Sequence, residues 1–285
     1  MVDGTMRGDF AADLVGEHSR RGRAWGDRAG RVLRGLLALL PPAILLIGIV
    51  ALWGVLSAYG IIPSYILPSP AAIGHEVETN WHVLLKHASA TTLEAISGFL
   101  IGNTVAVVVA ALFTMSPALK DAFLPYALMS RAVPIVVFTP LFVVLLGRGL
   151  PSIIAIVSFA VYFPTFLNMM RGLDAVDVDY RELLHTLSAT PLQRLKLIEF
   201  PAAMPYLFAA LKVSASGAFI SALVTEWIGA NTGLGYLVVV SSQFFKLPTM
   251  WAAIFTSALL TLALLGVVTL CERSLWRWTG LAKEL

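Results

Sequence analysis

Long runs of apolar residues are the feature that most limits what this chain can fold into. About 20 mostly apolar residues are enough for a helix to cross a bilayer, and the 285-residue chain contains several runs of that length. Only 13% of its residues are charged, whereas about a quarter are charged in a soluble domain. Strands of a lipid-embedded barrel would alternate in polarity, so uninterrupted runs predict helices. We therefore expect an all-α membrane protein.

About six transmembrane helices account for the apolar runs. The third run is the least regular, because Pro125, Pro134 and Pro140 lie within it and should kink a helix. The predicted spans are residues 35–58, 88–115, 118–147, 151–170, 202–227 and 250–271.

The basic residues are unevenly distributed about these spans. With six spans both termini lie on one side, and that side then carries 15 Lys and Arg residues against 3 on the other. The positive-inside rule therefore places both termini in the cytoplasm. The Arg-rich tail, residues 1–34, is interpreted as a topology anchor against anionic lipid rather than a nucleic-acid-binding arm. A transmembrane domain then covers residues 35–278, and residues 279–285 form a second cytoplasmic tail.

The chain lacks the short motifs of nucleotide and metal chemistry. It contains neither a G-x-x-x-x-G-K-[ST] phosphate loop nor an H-E-x-x-H zinc motif. Its single cysteine, Cys271, provides no disulfide framework. His75 and His82 would share one face if their loop were helical, but we interpret them as solvated rather than metal-binding. Acidic residues in the spans are few, and include Glu94 and Glu226. This argues against a membrane enzyme, which needs convergent ionisable groups in its spans.

A polar segment, residues 171–201, interrupts the apolar chain. Asp179, followed three residues later by Glu182, fits a variant of the capping box, and Thr190 with Gln193 fits a second one. The segment therefore predicts two short helices at the cytoplasmic surface. One apolar stripe along the first helix would consist of Val176, Tyr180, Leu183, Leu184 and Leu187.

This helix pair could rest on lipid or dock in a protein groove. Its acidic residues, Asp174 and Asp177 among them, would be repelled by anionic headgroups. Electrostatics alone therefore favours a protein groove.

The same segment resembles the cytoplasmic signature of ABC importer membrane subunits, which is E-A-A, three residues, G, nine residues, I-x-L-P. Glu182, Ser188, Ile198 and Pro201 take the positions of the Glu, Gly, Ile and Pro with the full spacing kept. Two leucines replace the alanines, and Phe200 replaces the leucine. A glycine at the turn suggests a left-handed backbone, where the serine of this chain would cost about 1 kcal/mol.

Other stretches resemble the branch of that family that imports nitrate, taurine and aliphatic sulfonates. They are LPSPAAI, RAVPIVVFTPLFVVLLG and EWIGANTGLGYLV, beginning at Leu67, Arg131 and Glu226. The resemblance implies a type I ABC importer permease fold with cytoplasmic coupling helices at about residues 177–200. It also implies a multi-pass protein of the bacterial cytoplasmic (inner) membrane.

The resemblance further implies partners and a division of labour. Two membrane subunits, either two copies of this permease or this chain with a similar partner, form the pathway. Two ABC ATPase subunits dock below them, and an extracytoplasmic binding protein delivers the solute. This chain would then bind no cofactor and catalyse no reaction, since ATP and Mg²⁺ belong to the ATPase. Membrane lipid would surround it, and no nucleic-acid partner is expected. The residues assigned to ATPase coupling are Tyr180, Arg181, Glu182, Leu183, Leu184, Leu187, Ser188, Ala189 and Thr190.

Basic residues inside the spans are candidates for the pathway. Lys212 lies 11 residues past Pro201, about 16 Å along a helix and thus near mid-membrane. We hypothesise that Lys212 and Arg131 face the passage and favour an anion, since a basic residue at the bilayer centre costs about 2.5–3.5 kcal/mol. Snorkelling or a structural bond to a carboxylate or helix end stays open as the alternative. The candidate pathway residues are Arg131, Lys212, Ser214 and Glu226.

Small residues mark two further places. Ala210, Ser214, Gly217, Ala218 and Ser221 of the fifth span indicate either a dimer seam or a pathway lining. The glycines at 229, 233 and 235 predict a tight turn or a re-entrant segment.

We therefore expect a permease for a small, anionic solute of the nitrate, taurine or sulfonate type. A pyrimidine-type vitamin precursor or another small organic solute is the alternative. A membrane enzyme and a structural scaffold are the competing classes of protein.

Overall fold

The computed structural model describes residues 40–41, 43–61, 63, 66–130 and 134–279. Every regular element among these residues is helical, and none of them lies in a strand. The prediction of an all-α protein is confirmed. The chain divides into two compact units, residues 1–70 and 71–285, which are described separately.

Among its described residues the first unit has an apolar helix, α1 (Ala43–Ala58). It ends where the first predicted span ends; residues 35–39 of that span lie outside the described residues. Most of its large apolar side chains are exposed within the chain, which is the pattern expected of a lipid-facing helix. After Gly60, at φ 69°, the chain turns back, and Trp53 Nε1 donates a hydrogen bond to the Pro68 carbonyl at 3.1 Å.

The remaining helices follow in chain order from residue 70. They are α2 (Pro70–Thr79), α3 (Trp81–Met115), α4 (Pro117–Ser130), α5 (Phe138–Leu146), α6 (Leu150–Asp174), α7 (Val178–Thr186), α8 (Pro191–Arg194), α9 (Phe200–Gly229), α10 (Leu234–Gln243) and α11 (Leu247–Thr279). A 3₁₀ turn, Ile135–Val137, precedes α5, and a π turn, Leu195–Glu199, joins α8 to α9.

Within the described ranges, four helices are long and apolar enough to cross a membrane. They are α3, α6, the continuous helix Pro191–Gly229 and the Leu247–Leu275 part of α11. They match the second, fourth, fifth and sixth predicted spans.

The third predicted span is not one kinked helix. It consists of α4, which tolerates Pro125 in its interior, and of α5, which begins after Pro134 and the 3₁₀ turn. A proline both removes a backbone donor and restricts the residue before it, so the chain restarts its helix rather than bending it. Residues 131–133, between the two pieces, lie outside the described part of the chain.

Helices α3, α6 and α9 pack against one another and form the core of the second unit. Glycines permit the close contact of α3 with α6. A Cβ atom at Gly102 would lie 2.2 Å from the Ser158 carbonyl oxygen, and one at Gly98 would lie 2.5 Å from Val157. Lipid offers no hydrophobic drive for helices to associate, so close backbone packing at small residues must supply the attraction.

The small residues of α9 mostly face this core. Ala210, Ser214 and Ala218 are buried inside the chain, and so is Ser221. A Cβ atom at Gly217, by contrast, would meet open space. The stripe therefore packs largely against the chain's own helices, a role that its spacing alone did not indicate.

Replacing Gly102 with alanine should destabilise the protein, because the new methyl group meets a backbone oxygen that cannot rotate away. Overpacking of this kind costs about 1–3 kcal/mol. The midpoint of thermal unfolding in detergent should fall for Gly102→Ala. The matched control is Gly217→Ala, also within a helix but in open space, which should leave the midpoint unchanged or raise it. Equal losses in both variants would contradict the close contact.

Candidate coupling segment and translocation residues

The coupling segment, residues 177–199, begins with a capped helix. The Asp177 side chain accepts a hydrogen bond from the Asp179 backbone N–H at 3.1 Å and so caps α7. The predicted cap at Asp179 is therefore wrong by two residues. Asp179 instead lies in the first turn, where its carboxylate is favoured by the unpaired N–H groups at the helix start.

The turn after α7 is centred on Ser188, whose φ is 53°. The Ser188 N–H donates to the His185 carbonyl and the Ala189 N–H to the Leu184 carbonyl, both at 3.0 Å. These two bonds form the Schellman motif, in which the left-handed position normally holds glycine. The left-handed backbone expected at Ser188 is confirmed.

The second helix start has the predicted capping box. Thr190 Oγ1 accepts from the Gln193 N–H at 3.3 Å, and Gln193 Oε1 accepts from the Thr190 N–H at 2.8 Å. The helix does not stop before the fifth span, however. It continues through the π turn, so that Pro191–Gly229 is one continuous helix. The second coupling helix is thus the end of a membrane span.

The predicted apolar stripe of α7 divides between two faces. Leu184 and Val176 are buried, while Tyr180, Leu183 and Leu187 are 57%, 54% and 67% exposed. Glu182 is exposed beside them. Leu184 therefore anchors α7 to the chain, and its exposed neighbours form an apolar patch that no described part of the chain covers.

A buried charge cluster joins the coupling segment to the rest of the fold. Arg194 Nε lies 2.8 Å from Glu199 Oε1, and Glu199 is only 1% exposed. Arg181 donates to the Leu173 carbonyl in the last turn of α6 at 3.0 Å, and its charge also acts on Glu199. Nearer the surface, Lys120 of α4 pairs with Asp174 of α6 at 2.8 Å. Lys120 therefore links α4 to α6, Arg181 links α7 to α6, and the Arg194–Glu199 pair braces the helix that leads into α9.

Sequence reasoning missed Glu199. Arg194 and Glu199 are five residues apart, whereas ion pairs on an α-helix join residues three or four apart. The π turn, with hydrogen bonds between residues five apart, brings the two side chains together. The pattern around the prolines does not reveal a π turn, so the pair could not have been found from spacing.

The candidate pathway residues occupy three separate environments. Lys212 Nζ lies 2.5 Å from Glu272 Oε2, which ties α9 to α11. Ser214 is buried, and its Oγ lies 3.0 Å from Thr165 Oγ1, whose hydroxyl donates to the Asn103 amide oxygen. Glu226, near the end of α9 opposite the coupling segment, is 1% exposed. Arg131 lies outside the described residues.

The carboxylate bond that the sequence left open for Lys212 is therefore present. Ser214 belongs to a polar bridge between α3, α6 and α9. Glu226 accepts hydrogen bonds from the Thr91 hydroxyl and the Gly235 N–H at 2.6 and 2.5 Å. Each of these polar groups is satisfied within the chain, as the low dielectric of a membrane requires.

The larger of two cavities among the described residues is not suited to a polar solute. A cavity of about 470 Å³ lies between α3, α9 and α11, and its walls are almost wholly apolar, Phe99, Phe208 and Leu264 among them. Such walls would not hold a small anion. No group of three His, Cys, Asp or Glu side chains is placed to hold a metal ion anywhere in the described part of the chain.

A family model matches more than half of this chain. The model for "Binding-protein-dependent transport system inner membrane component" matches residues 102–277, which include the coupling segment and α6 to α11. The chain belongs to this family. The permease role in an ABC importer that the sequence predicted is thereby confirmed.

Individual relatives agree with this assignment. The chain is 30% identical over 241 residues to a "Probable ABC transporter permease protein" of Haemophilus influenzae, covering 84% of this chain and 98% of that protein. It is 28% identical to a "Putative aliphatic sulfonates transport permease protein SsuC" of Bacillus subtilis, covering 84% and 86%. It is 27% identical to a "Formylaminopyrimidine transport permease protein ThiX" of Halalkalibacterium halodurans, covering 84% and 96%.

A solved structure confirms the fold. A chain of the inward-facing MetNI methionine ABC transporter superposes with a TM-score of 0.60 at 16% identity, covering 69% of this chain and 98% of that one. The expected importer-permease fold is therefore found, while the relatives' names differ in the solute that they specify.

Removing the Glu199 carboxylate should destabilise the permease strongly. Glu199→Ala leaves the Arg194 guanidinium, 35% exposed, without its buried partner. The loss should exceed the value for an exposed pair, about 1 kcal/mol, and stay below that for a fully buried one, about 3–5 kcal/mol. Asp174→Asn, which breaks an ion pair whose carboxylate is 47% exposed, should cost no more than about 1 kcal/mol. Thermal unfolding of the two variants in the same detergent compares them. A similar small loss in both would show that the Arg194–Glu199 pair has no special weight.

Proposed function

We propose that this permease couples ATP hydrolysis on a separate ATPase subunit to passage of a small anionic solute through a pathway formed with a second permease copy. The observation that carries the proposal is the coupling segment. It presents an exposed apolar patch on α7, and its second helix continues directly into the membrane span α9. This chain itself supplies neither a nucleotide site nor a reaction.

Docking on the ATPase would use the exposed face of α7. Tyr180, Leu183 and Leu187 offer apolar area, and Glu182 lies beside them. A partner groove with an apolar floor and a basic rim would match this face. The contact of Arg181 with α6 would hold the segment against the spans, and the Arg194–Glu199 pair would stiffen the π turn through which it continues into α9. Movement of the ATPase would then be passed to α9.

Orientation follows from the basic residues, as predicted from the sequence. The coupling segment and both termini would lie in the cytoplasm, and the α9–α10 turn on the opposite side, where a binding protein delivers the solute. Because the cavity between α3, α9 and α11 has apolar walls, the passage would run between the two copies instead. This arrangement places the permease in a bacterial cytoplasmic membrane.

The solute would be an anion of the sulfonate class. The aliphatic sulfonates relative supports this choice, and so does the basic residue Arg131 in a span. Lys212 is weaker support for an anionic solute, since Glu272 neutralises its charge inside the chain. The formylaminopyrimidine relative supports the second candidate, a pyrimidine-type vitamin precursor. Uptake of taurine, an alkanesulfonate and formylaminopyrimidine into proteoliposomes, each with the partner binding protein, separates the two.

Reversing the charge of Glu182 should uncouple the ATPase from the permease. Glu182 is exposed, so Glu182→Lys would alter the docking face without disturbing the core. We expect the ATPase subunit to co-purify poorly with Glu182→Lys in detergent, and uptake to be lost at unchanged thermal stability. The matched control, Glu78→Lys, reverses an exposed charge on α2 and should leave both unchanged. Wild-type co-purification and uptake in Glu182→Lys would refute docking through this face.

A pair of variants decides what Lys212 does. Lys212→Gln leaves Glu272 unpaired within the membrane and should lower both stability and uptake. If the pair is structural, Lys212→Gln combined with Glu272→Gln should restore both, because two neutral amides can bond to each other. If Lys212 contacts the solute, the double variant should regain stability while the KM for uptake stays raised. The thermal midpoint and the KM, measured on the same preparations, distinguish these outcomes.

A further inference from the structure

Three consecutive backbone N–H groups at the start of α10 are capped by side chains of other helices. Gly233 N donates to His87 Nδ1 at 3.0 Å, Leu234 N to Thr91 Oγ1 at 2.7 Å, and Gly235 N to Glu226 Oε2 at 2.5 Å. The first N–H groups of a helix have no partner within it and are normally capped by a local Ser, Thr, Asp or Asn. The cap residue here is Gly233, which has no side chain, so α3 and α9 supply the acceptors.

Glu226 is the centre of this arrangement. Its carboxylate accepts from the Gly235 N–H and from the Thr91 hydroxyl, while Thr91 in turn accepts from the Leu234 N–H. Thr91 is 0% and Glu226 1% exposed, so water does not compete for these bonds. The Glu94 side chain is hydrogen-bonded to Glu226 as well.

The two glycines of the turn are required by this carboxylate. A Cβ atom at Gly233, where φ is 112°, would lie 2.2 Å from the Glu226 carboxyl carbon. A Cβ atom at Gly235 would lie 2.9 Å from Glu226 Oε2 and 2.3 Å from the Leu223 carbonyl oxygen. Any larger residue would push the start of α10 off the carboxylate. The G-L-G sequence therefore allows the start of α10 to contact the Glu226 carboxylate.

The contact at Glu226 joins α10 to the end of α9 that lies farthest from the coupling segment. The continuous helix Pro191–Gly229 has 39 residues, about 58 Å at roughly 1.5 Å per residue. The coupling segment occupies one end, and Glu226 lies three residues before the other. Helix α10 has only 10 residues, about 15 Å, which is half of a membrane's hydrocarbon thickness. It cannot span, so its position depends on its neighbours: it packs against α11, and α3 and α9 hold its first turn.

We propose that Glu226, with Thr91 and His87, is a clamp that makes α10 move together with α9, so that displacement of the coupling segment appears as movement of α10 on the opposite side of the membrane. The proposal rests on the coupling role proposed above and extends it to a named element. Glu226 is then a positioning residue that acts through α10, rather than a contact of the solute.

Two spin-label positions test the clamp in the complete transporter, reconstituted in nanodiscs. Both are exposed: Thr186 in the coupling segment and Ser242 near the end of α10. Each is changed to cysteine in a Cys271→Ser background, because Cys271 is the chain's one cysteine and is exposed. Label-to-label distances between the two permease copies are measured without nucleotide and with vanadate-trapped ATP.

In the otherwise unaltered protein, trapping should shift the distances at both positions. Glu226→Gln places an amide N–H₂ among backbone donors and should abolish the shift at Ser242 while the shift at Thr186 remains. The matched control Thr225→Val removes a buried hydroxyl next to Glu226 that donates to the Ser221 carbonyl of its own helix. It leaves the three N–H bonds in place and should keep both shifts. A Ser242 shift that persists in Glu226→Gln overturns the clamp. The absence of any shift at Thr186 in the unaltered protein overturns the coupling role, and the clamp with it.

A second pair of variants tests the clamp in case Glu226→Gln folds poorly. Thr91→Val preserves side-chain shape but removes the hydroxyl that links Leu234 to Glu226, and should abolish the Ser242 shift. Thr91→Ser keeps the hydroxyl and should restore it. Equal Ser242 shifts in Thr91→Val and Thr91→Ser would also overturn the clamp.

Discussion

The need to satisfy every backbone polar group without water governs this structure. In lipid an unpaired N–H or carbonyl group costs several kcal/mol, so the described chain is helical wherever it is regular. The exceptions are the places where a helix must begin or end. At Ser188 a Schellman turn pairs the freed groups, and at Gly233 the side chains of His87, Thr91 and Glu226 do so. The Ser188 turn and the start of α10 both belong to elements that we propose to move.

Helix α9 connects these two places. It continues from the last part of the coupling segment, where the Arg194–Glu199 pair braces the π turn. Along its length it packs against α3 and α6 through small residues and the Asn103–Thr165–Ser214 bridge. Near its other end Glu226 carries the first turn of α10. A rigid helix fastened to its neighbours by directional bonds can transmit a displacement, whereas one held only by apolar contacts with lipid would be free to slide.

Much of the fold was predictable from local pattern. Apolar run length predicted the spans, and the Thr190–Gln193 capping box and the left-handed Ser188 followed from motif spacing. The prediction was wrong at three places, two of them decided by local competition between caps or by proline and one by tertiary packing. The cap of α7 is Asp177 rather than Asp179, the third span restarts as two helices, and the stripe of α7 divides because Leu184 packs inward. Arg131 and the N-terminal tail lie outside the described residues, and their roles stay predictions.

The sequence by itself determined that this chain is a helical membrane protein with a polar, capped segment between two of its spans, because run length and capping are properties of neighbouring residues. Only the tertiary structure decided what its polar residues do within the spans. Lys212 pairs with Glu272 across 60 residues of sequence, and Thr91 meets Glu226 across 135. A polar side chain in lipid must find a partner, yet nothing in its local sequence says which one, since helix packing alone brings the two together.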